Sequence, residues 1–267
     1  MSFIKAAKIR LLLGLLPIIP LIWIILEKIL IMHKNVIITG GSKGIGKAIA
    51  LELAGAGFNI AICSRNGDEG NQLITELQNI NAQGHYKAFV CDVRKKMEVI
   101  NFADLVKEFF ENKIDVLINN AGTFIPGLIT EEEEGNLEKM IETNLYSAYH
   151  LTRELIGLMQ SQKSGHVINM CSIASEIAYP NGGSYSISKF ALLGFSKVLR
   201  EEMKPYNVKV TSILPGATWS DSWKGVNLPK SRLMQSKDIA KIVLCALTLS
   251  DSATMEEIVV RPQLGDL

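Results

Sequence analysis

With 267 residues, 48% hydrophobic and 21% charged, the chain is long enough for one domain with a sizeable core. Its formal net charge of +1 excludes the basic stripe that holds a phosphate backbone, so no nucleic-acid partner is expected. Cys63, Cys91, Cys171 and Cys245 match no CxxC spacing, and His33, His85, His150 and His166 are equally scattered, so buried reduced thiols, a reducing compartment and no metal are expected.

The first residues are unlike the rest. Leu11 to Leu26 are sixteen uncharged, almost wholly apolar residues behind Lys5, Lys8 and Arg10. The run approaches the ~20 residues of a perpendicular span only if Glu27 and Lys28 are included, and Pro17 and Pro20 would kink it. Residues 1–31 are read either as a membrane anchor, spanning or monotopic, or as an upstream extension outside the functional protein. No small-residue cleavage site favours a signal peptide. Basic residues ahead of the run would hold the N-terminus in the cytosol, and a full span would then export the catalytic domain. Shallow insertion through residues 11–32 leaves that domain cytoplasmic.

Residues 32–267 carry no internal repeat and no Pro/Ser-rich linker, so one domain is expected there, with Met32 just before its first strand. Strands are predicted at 35–39, 59–63, 86–91, 115–119, 166–171, 208–213 and 257–260. Helices are predicted at about 44–56, 69–81, 95–111, 137–160, 184–204 and 237–249. The strand runs are apolar on nearly every residue, as in a parallel sheet covered on both faces. The expected fold is α/β: a Rossmann-type doubly wound parallel sheet of about seven strands with helices on both faces. The acidic run Glu131 to Glu134 is read as a solvated loop or helix start.

The first strand runs into Thr39-Gly40-Gly41-Ser42-Lys43-Gly44-Ile45-Gly46 and then a helix. Gly40 permits a tight turn, Gly44 lets backbone approach a pyrophosphate, and Gly46 allows close packing of helix on strand. The helix N-terminus offers its free N–H groups to phosphate. A site for NAD(H) usually has an acid at the end of the second strand, where this chain has Cys63-Ser64-Arg65. Arg65 and Lys43 are candidates to pair with a 2′-phosphate, so NADP(H) is expected. Asp68 is read as the N-cap of the next helix rather than a ribose ligand.

Tyr185 and Lys189 form YSISK, an i, i+4 pair on one helix face and weak evidence alone. Its company is Thr39 to Gly46, Asn119-Asn120-Ala121-Gly122 after the fourth strand, Ser172 thirteen residues before Tyr185, and Pro215-Gly216 after the sixth strand. In that order these motifs resemble the classical short-chain dehydrogenase/reductase family over about residues 34–262. The resemblance implies Tyr185 as acid/base, Lys189 as its partner, Ser172 as the carbonyl-orienting hydroxyl and Asn144 as support for a proton relay. It places Asp92 beside an adenine and Asn120 near a ribose. The cofactor set it implies is Gly40, Gly41, Ser42, Lys43, Gly44, Ile45, Gly46, Ser64, Arg65, Asp92, Val93, Asn120, Tyr185, Lys189, Pro215, Gly216, Thr218 and Ser220. Cys171 stands where the family often has a second serine. Ser220 replaces a usual threonine, with Thr218 nearby, which leaves open which hydroxyl meets the carboxamide.

The chemistry can be argued from the residues as well. A phenol with pKa about 10 is well matched to a nascent alkoxide, and a nearby ammonium favours its phenolate. A serine hydroxyl can donate where charge develops on a carbonyl oxygen. The expected activity is hydride transfer between NADP(H) and a small carbonyl or alcohol substrate. The alternatives are a membrane-associated reductase of a lipid ketone, such as a 3-keto sphingoid base, and a catalytically silent nucleotide-sensing protein. Trp219, Trp223 and Met234 lie in a segment after Gly216 that is either an apolar substrate cover or an ordinarily packed loop. A homo-oligomer, dimer or tetramer, is expected.

Overall fold

β-Branched residues dominate β1 (Asn35–Thr39), β2 (Asn59–Ser64) alternates isoleucine with small residues, and every residue of both is buried. Neither strand has a face to give to water, so each must be central in a sheet covered on both sides. The computed structural model describes residues 33–178, 181–220 and 228–266. The N-terminal segment read as an anchor lies outside the described residues, as does Trp223. Among the described residues no helix is long and apolar enough to cross a membrane.

After β1 and α1 (Gly44–Gly55) come β2, α2 (Gly67–Ile80), β3 (Tyr86–Val90), α3 (Lys96–Phe109) and β4 (Val116–Asn119). The second half runs α4 (Asn136–Ile141), a π turn (Glu142–Tyr146), α5 (Ser147–Gln162), β5 (Gly165–Met170), α6 (Gly183–Met203), β6 (Val208–Pro215), α7 (Ser236–Thr248) and β7 (Glu257–Val260). The strands form one seven-stranded sheet in the order β3-β2-β1-β4-β5-β6-β7, with every pairing parallel. This is the expected doubly wound architecture.

Alternation along the strands divides the core. Val36, Ile38, Ile60 and Ile62 pack with Ile49 and Leu53 of α1, Leu73 and Leu77 of α2, and Ile239 and Val243 of α7. Ile37, Ala61, Leu117 and Val167 face the other side, against Phe102 of α3, Leu151 and Leu155 of α5, and Leu199 of α6. The expectation of strands buried on both faces fails at β3 and β7. Both are edge strands, and residues such as Val90 and Val259 remain exposed.

The single helix expected over 137–160 is interrupted by the π turn, which carries Asn144. Cys63, Cys91 and Cys171 are buried free thiols as expected, whereas Cys245 lies on the exposed side of α7. The N-cap of α2 is Asn66, whose side chain accepts from the N–H groups of Asp68 and Glu69. Asp68, expected to be the cap, instead sits in the first turn, where its charge favours the helix without capping it.

His166 opens β5 in the core, its Nε2 bonded to Thr211 Oγ1 at 2.7 Å, while that hydroxyl donates to the Met255 carbonyl. Burial, with smaller repulsion from Lys209 and Lys34, lowers its pKa to about 3. The unfolded chain therefore binds the extra proton first, and stability falls as pH drops from about 6.5 towards 3. Chemical denaturation at pH 7 and pH 5 should show a loss of about 2 kcal/mol from this residue, absent in His166→Gln.

Candidate active site

The strand order reverses between β1 and β4, which opens a crevice at their carboxyl ends. Thr39, the last residue of β1, spans it: its Oγ1 accepts from the N–H groups of Asn120 and Ala121, each at 3.0 Å. Asn120 returns the contact, donating from Nδ2 to the carbonyls of Thr39 and Gly40. A cleft of about 1320 Å³ lies over this junction, and most of the expected residues line it.

The glycine turn makes one wall. Gly40 adopts φ +62°, a conformation that only glycine takes without strain. Gly46, expected to pack its helix against a strand, instead packs against the turn itself. A Cβ there would collide with the Gly40 carbonyl and the Asn120 amide. Gly41 packs on Ile62, so Gly41 and Gly46 shape the turn from behind rather than facing the cleft. At the start of α1, Lys43 provides no side-chain cap and the first turn contains no acid. Its N–H groups therefore fit an anionic phosphate, which is the group expected at this turn.

Opposite the turn, Ser172, Tyr185 and Lys189 line the same cleft. Ser172 follows β5 and caps a short 3₁₀ turn (Ile173–Ser175), with Oγ accepting from Ala174 N–H at 3.1 Å. Its buried hydroxyl proton is left to donate elsewhere. Tyr185 and Lys189 share a face of α6, with Lys189 Nζ 5.8 Å from the centre of the Tyr185 ring. Lys189 donates to the Met170 carbonyl at 2.8 Å, and burial lowers its pKa to about 8.

Asn144 stands behind the cleft and is almost wholly buried. Its Oδ1 accepts from Thr123 N–H, while Nδ2 donates to the Thr123 carbonyl and to Ser188 Oγ. Ser188 Oγ in turn donates to the Tyr185 carbonyl. The π turn thus brings Asn144 into a chain of bonds ending on the backbone of Tyr185. Phe124, not singled out from the sequence, packs edge-on against the Tyr185 ring at 4.9 Å.

The far end of the cleft holds Ser64, Arg65, Asp92 and Val93. Lys43 pairs with Glu69 at 2.7 Å across its mouth. Asp92 pairs with Arg94 at 2.6 Å, and that bond chiefly holds its carboxyl below the usual range. On the nicotinamide side of the expected site are Pro215, Gly216, Thr218 and Ser220. Thr218 donates to the Gly216 carbonyl, and Asp266 joins this wall through the C-terminal segment. Met234 packs on the central core, as ordinary loop packing requires, and Trp219 N–H donates to its carbonyl.

A crevice at the switch point, a glycine turn feeding an uncapped helix and a buried lysine beside a tyrosine define the class: a nucleotide-dependent oxidoreductase of Rossmann type. The chain belongs to the short-chain dehydrogenase family, whose model matches residues 34–230. A sepiapterin reductase of Chlorobaculum tepidum is 31% identical over 245 residues, 88% of this chain and 99% of that protein. An uncharacterized oxidoreductase of Staphylococcus aureus is 31% identical over 229 residues, 86% of this chain and 97% of its own length. A 7α-hydroxysteroid dehydrogenase complexed with NADH and 7-oxo glycochenodeoxycholic acid superposes with TM-score 0.81 at 28% identity, covering 88% of this chain and 95% of that one. A metagenomic short-chain oxidoreductase complexed with NADP gives TM-score 0.75 at 27% identity, covering 87% and 98%. The likeness thus spans structures holding either dinucleotide.

The sequence motifs assign Thr39 no role beyond ending β1. Thr39→Val keeps its shape but removes the acceptor of the Ala121 N–H, while the Asn120 N–H keeps the Ile118 carbonyl, at a cost of about 1–2 kcal/mol. Urea unfolding should show that loss, together with weaker dinucleotide binding by fluorescence titration.

Proposed function

We propose that this chain interconverts a small carbonyl compound and its alcohol with NADP(H), using Tyr185 as the acid/base. The observation that carries this reading is the convergence of Ser172, Tyr185 and Lys189 on one wall of a cleft whose other wall is a glycine turn. When bound, the nicotinamide supplies the hydride. In reduction the Tyr185 phenol gives its proton to the oxygen that becomes the alcohol. The Lys189 ammonium stabilises the phenolate left behind, and Ser172 Oγ donates to the substrate oxygen as charge grows on it. Asn144 holds the backbone of Tyr185 through Ser188, and its contribution to a proton relay is part of the proposal.

The preference for the 2′-phosphorylated coenzyme rests on Arg65 at the exposed end of β2, where no acid stands. Lys43, held by Glu69 in a partly exposed ion pair, is a second candidate for that phosphate. Phe124, Ile125, Pro126, Ile173 and Ile177 line the cleft near Tyr185 and favour an apolar substrate, which also suits the lipid-ketone reading. The division near residue 32 into an apolar segment and one catalytic domain is supported by a family match that begins at residue 34.

Tyr185→Phe should lower turnover about a thousandfold or more while dinucleotide affinity stays near normal, because only the proton donor is removed. Steady-state rates with apolar ketones and a binding titration check this, and a variant keeping a tenth of the activity would overturn the assignment. Arg65→Asp should shift kcat/KM from NADPH towards NADH by about tenfold or more, since a carboxylate repels the 2′-phosphate and accepts from a free 2′-hydroxyl. An unchanged ratio of the two kcat/KM values would refute the coenzyme preference.

A further inference from the structure

We infer that Glu132 is a positioning residue for Tyr185, acting as a side-chain latch on the first turn of α6. The inference rests on Tyr185 being the acid/base. The first turn of any helix presents N–H groups with no partner inside the helix. In α6 the N-cap is Gly182, which offers no side chain, and the first turn contains no acid. The missing acceptor arrives from 52 residues away. Glu132 Oε1 accepts from Ser184 N–H at 2.7 Å, and Oε2 accepts from Ser184 Oγ. A carboxylate is the favoured group at this end of a helix.

The surroundings are shaped to admit it. Gly127 N–H donates to the Asn181 carbonyl, and Gly127 and Gly182 form a parallel bridge that lays the β4–α4 loop beside the start of α6. A Cβ on Gly127 would lie 2.7 Å from Glu132 Cγ, and one on Gly183 would collide with Glu132 Oε1. Gly127 therefore leaves the volume that this side chain fills, and Gly183 admits both its carboxylate and the Gly127 carbonyl. Of the acidic run Glu131 to Glu134, only Glu132 is withdrawn from full exposure. The expectation that the run is solvated throughout fails at this one residue.

The consequence for Tyr185 is geometric. Ser184, held by Glu132, immediately precedes it, and the Asn144–Ser188 chain holds its carbonyl from the other side. The loop that carries Glu132 also carries Phe124, which meets the Tyr185 ring. The latch therefore fixes both the backbone and the ring partner of the tyrosine.

Four variants test this: Glu132→Ala, Glu132→Gln, Gly127→Ala and the double variant Glu132→Ala/Gly127→Ala. Glu132→Ala should lower kcat by about tenfold with dinucleotide Kd changed by less than about twofold, and should speed amide hydrogen exchange at Ser184 and Tyr185. Glu132→Gln keeps a carbonyl acceptor and should return kcat to within about threefold of wild type. Gly127→Ala alone should be impaired by the clash with Glu132 Cγ, and the double variant should be no worse than Glu132→Ala, so the losses are not additive. Wild-type kcat in Glu132→Ala, unchanged exchange at Ser184, an equal loss of dinucleotide affinity, or additive losses would each overturn the latch. Should Glu132→Ala fail to fold, Gly127→Ala decides it, since its Cβ displaces the Glu132 side chain: wild-type kcat and unchanged exchange at Ser184 there would overturn the latch. Exchange and additivity do not depend on which residue gives the proton, so an active Tyr185→Phe would defeat the functional reading and leave these two results to judge the latch.

Discussion

The hydrogen bonds between Thr39 and the Asn120–Ala121 segment are the constraint on which the rest of the site depends. Where the strand order reverses, the chains leaving β1 and β4 turn to opposite faces of the sheet, and the ladder between them stops at Ile38 and Ile118. One hydroxyl accepting two N–H groups, and one amide donating to two carbonyls, close that gap. The glycine turn is thereby fixed in a position that leaves a cleft above it. The packing of Gly46 beneath Gly40 and Asn120 belongs to the same arrangement, because a side chain there would force the turn away from Asn120. The proposed phosphate site and the proposed reaction site, on different elements, thus line one space.

Much of this was legible because the signals are local. β-Branched runs such as Asn35 to Thr39 are too apolar for any half-exposed strand, and the glycine turn has meaning only between such a strand and a helix. Edge strands were harder. β3 and β7 are built from similar residue types to the central strands, and only the order of strands in the sheet decides that Val90 faces water. The cap of α2 was misplaced by two residues because Asn66 and Asp68 are equally good capping types, and backbone conformation chooses between them. Residues acting across the chain were the least visible. The π turn at Asn144 leaves no periodicity signature, and Glu132 looks like its three acidic neighbours until the loop is seen against α6.

At the adenosine end, charge is arranged in pairs rather than as a bare positive patch. Lys43 meets Glu69, and Asp92 meets Arg94, so two potential anion ligands and two potential repellents are already engaged. Both pairs are partly exposed, where an ion pair contributes about 0–1 kcal/mol and is readily exchanged for a better partner. A phosphate, with more than one charge and several acceptor oxygens, is such a partner for a guanidinium or an ammonium. The arrangement keeps the cationic side chains ordered near the mouth of the cleft without committing them strongly.

Lys189 is the opposite case. It is 4% exposed, and its ammonium has one protein carbonyl, that of Met170, as acceptor. A lowered pKa of about 8 corresponds to roughly 3 kcal/mol of disfavour for the charged form, felt fully below pH 8, where the lysine is protonated in both folded and unfolded chains. Pairing the ammonium with a carboxylate would remove that cost, but it would also neutralise the charge before any phenolate needed it. Leaving the ammonium with a neutral carbonyl keeps its field directed at the Tyr185 ring 5.8 Å away. The same desolvation that penalises the free lysine strengthens its attraction for a phenolate in the same apolar wall, because both act at low local dielectric. In the proposed mechanism the instability of Lys189 and its usefulness therefore have one cause, and a substitution that relieved the first by admitting water or a counter-charge would weaken the second.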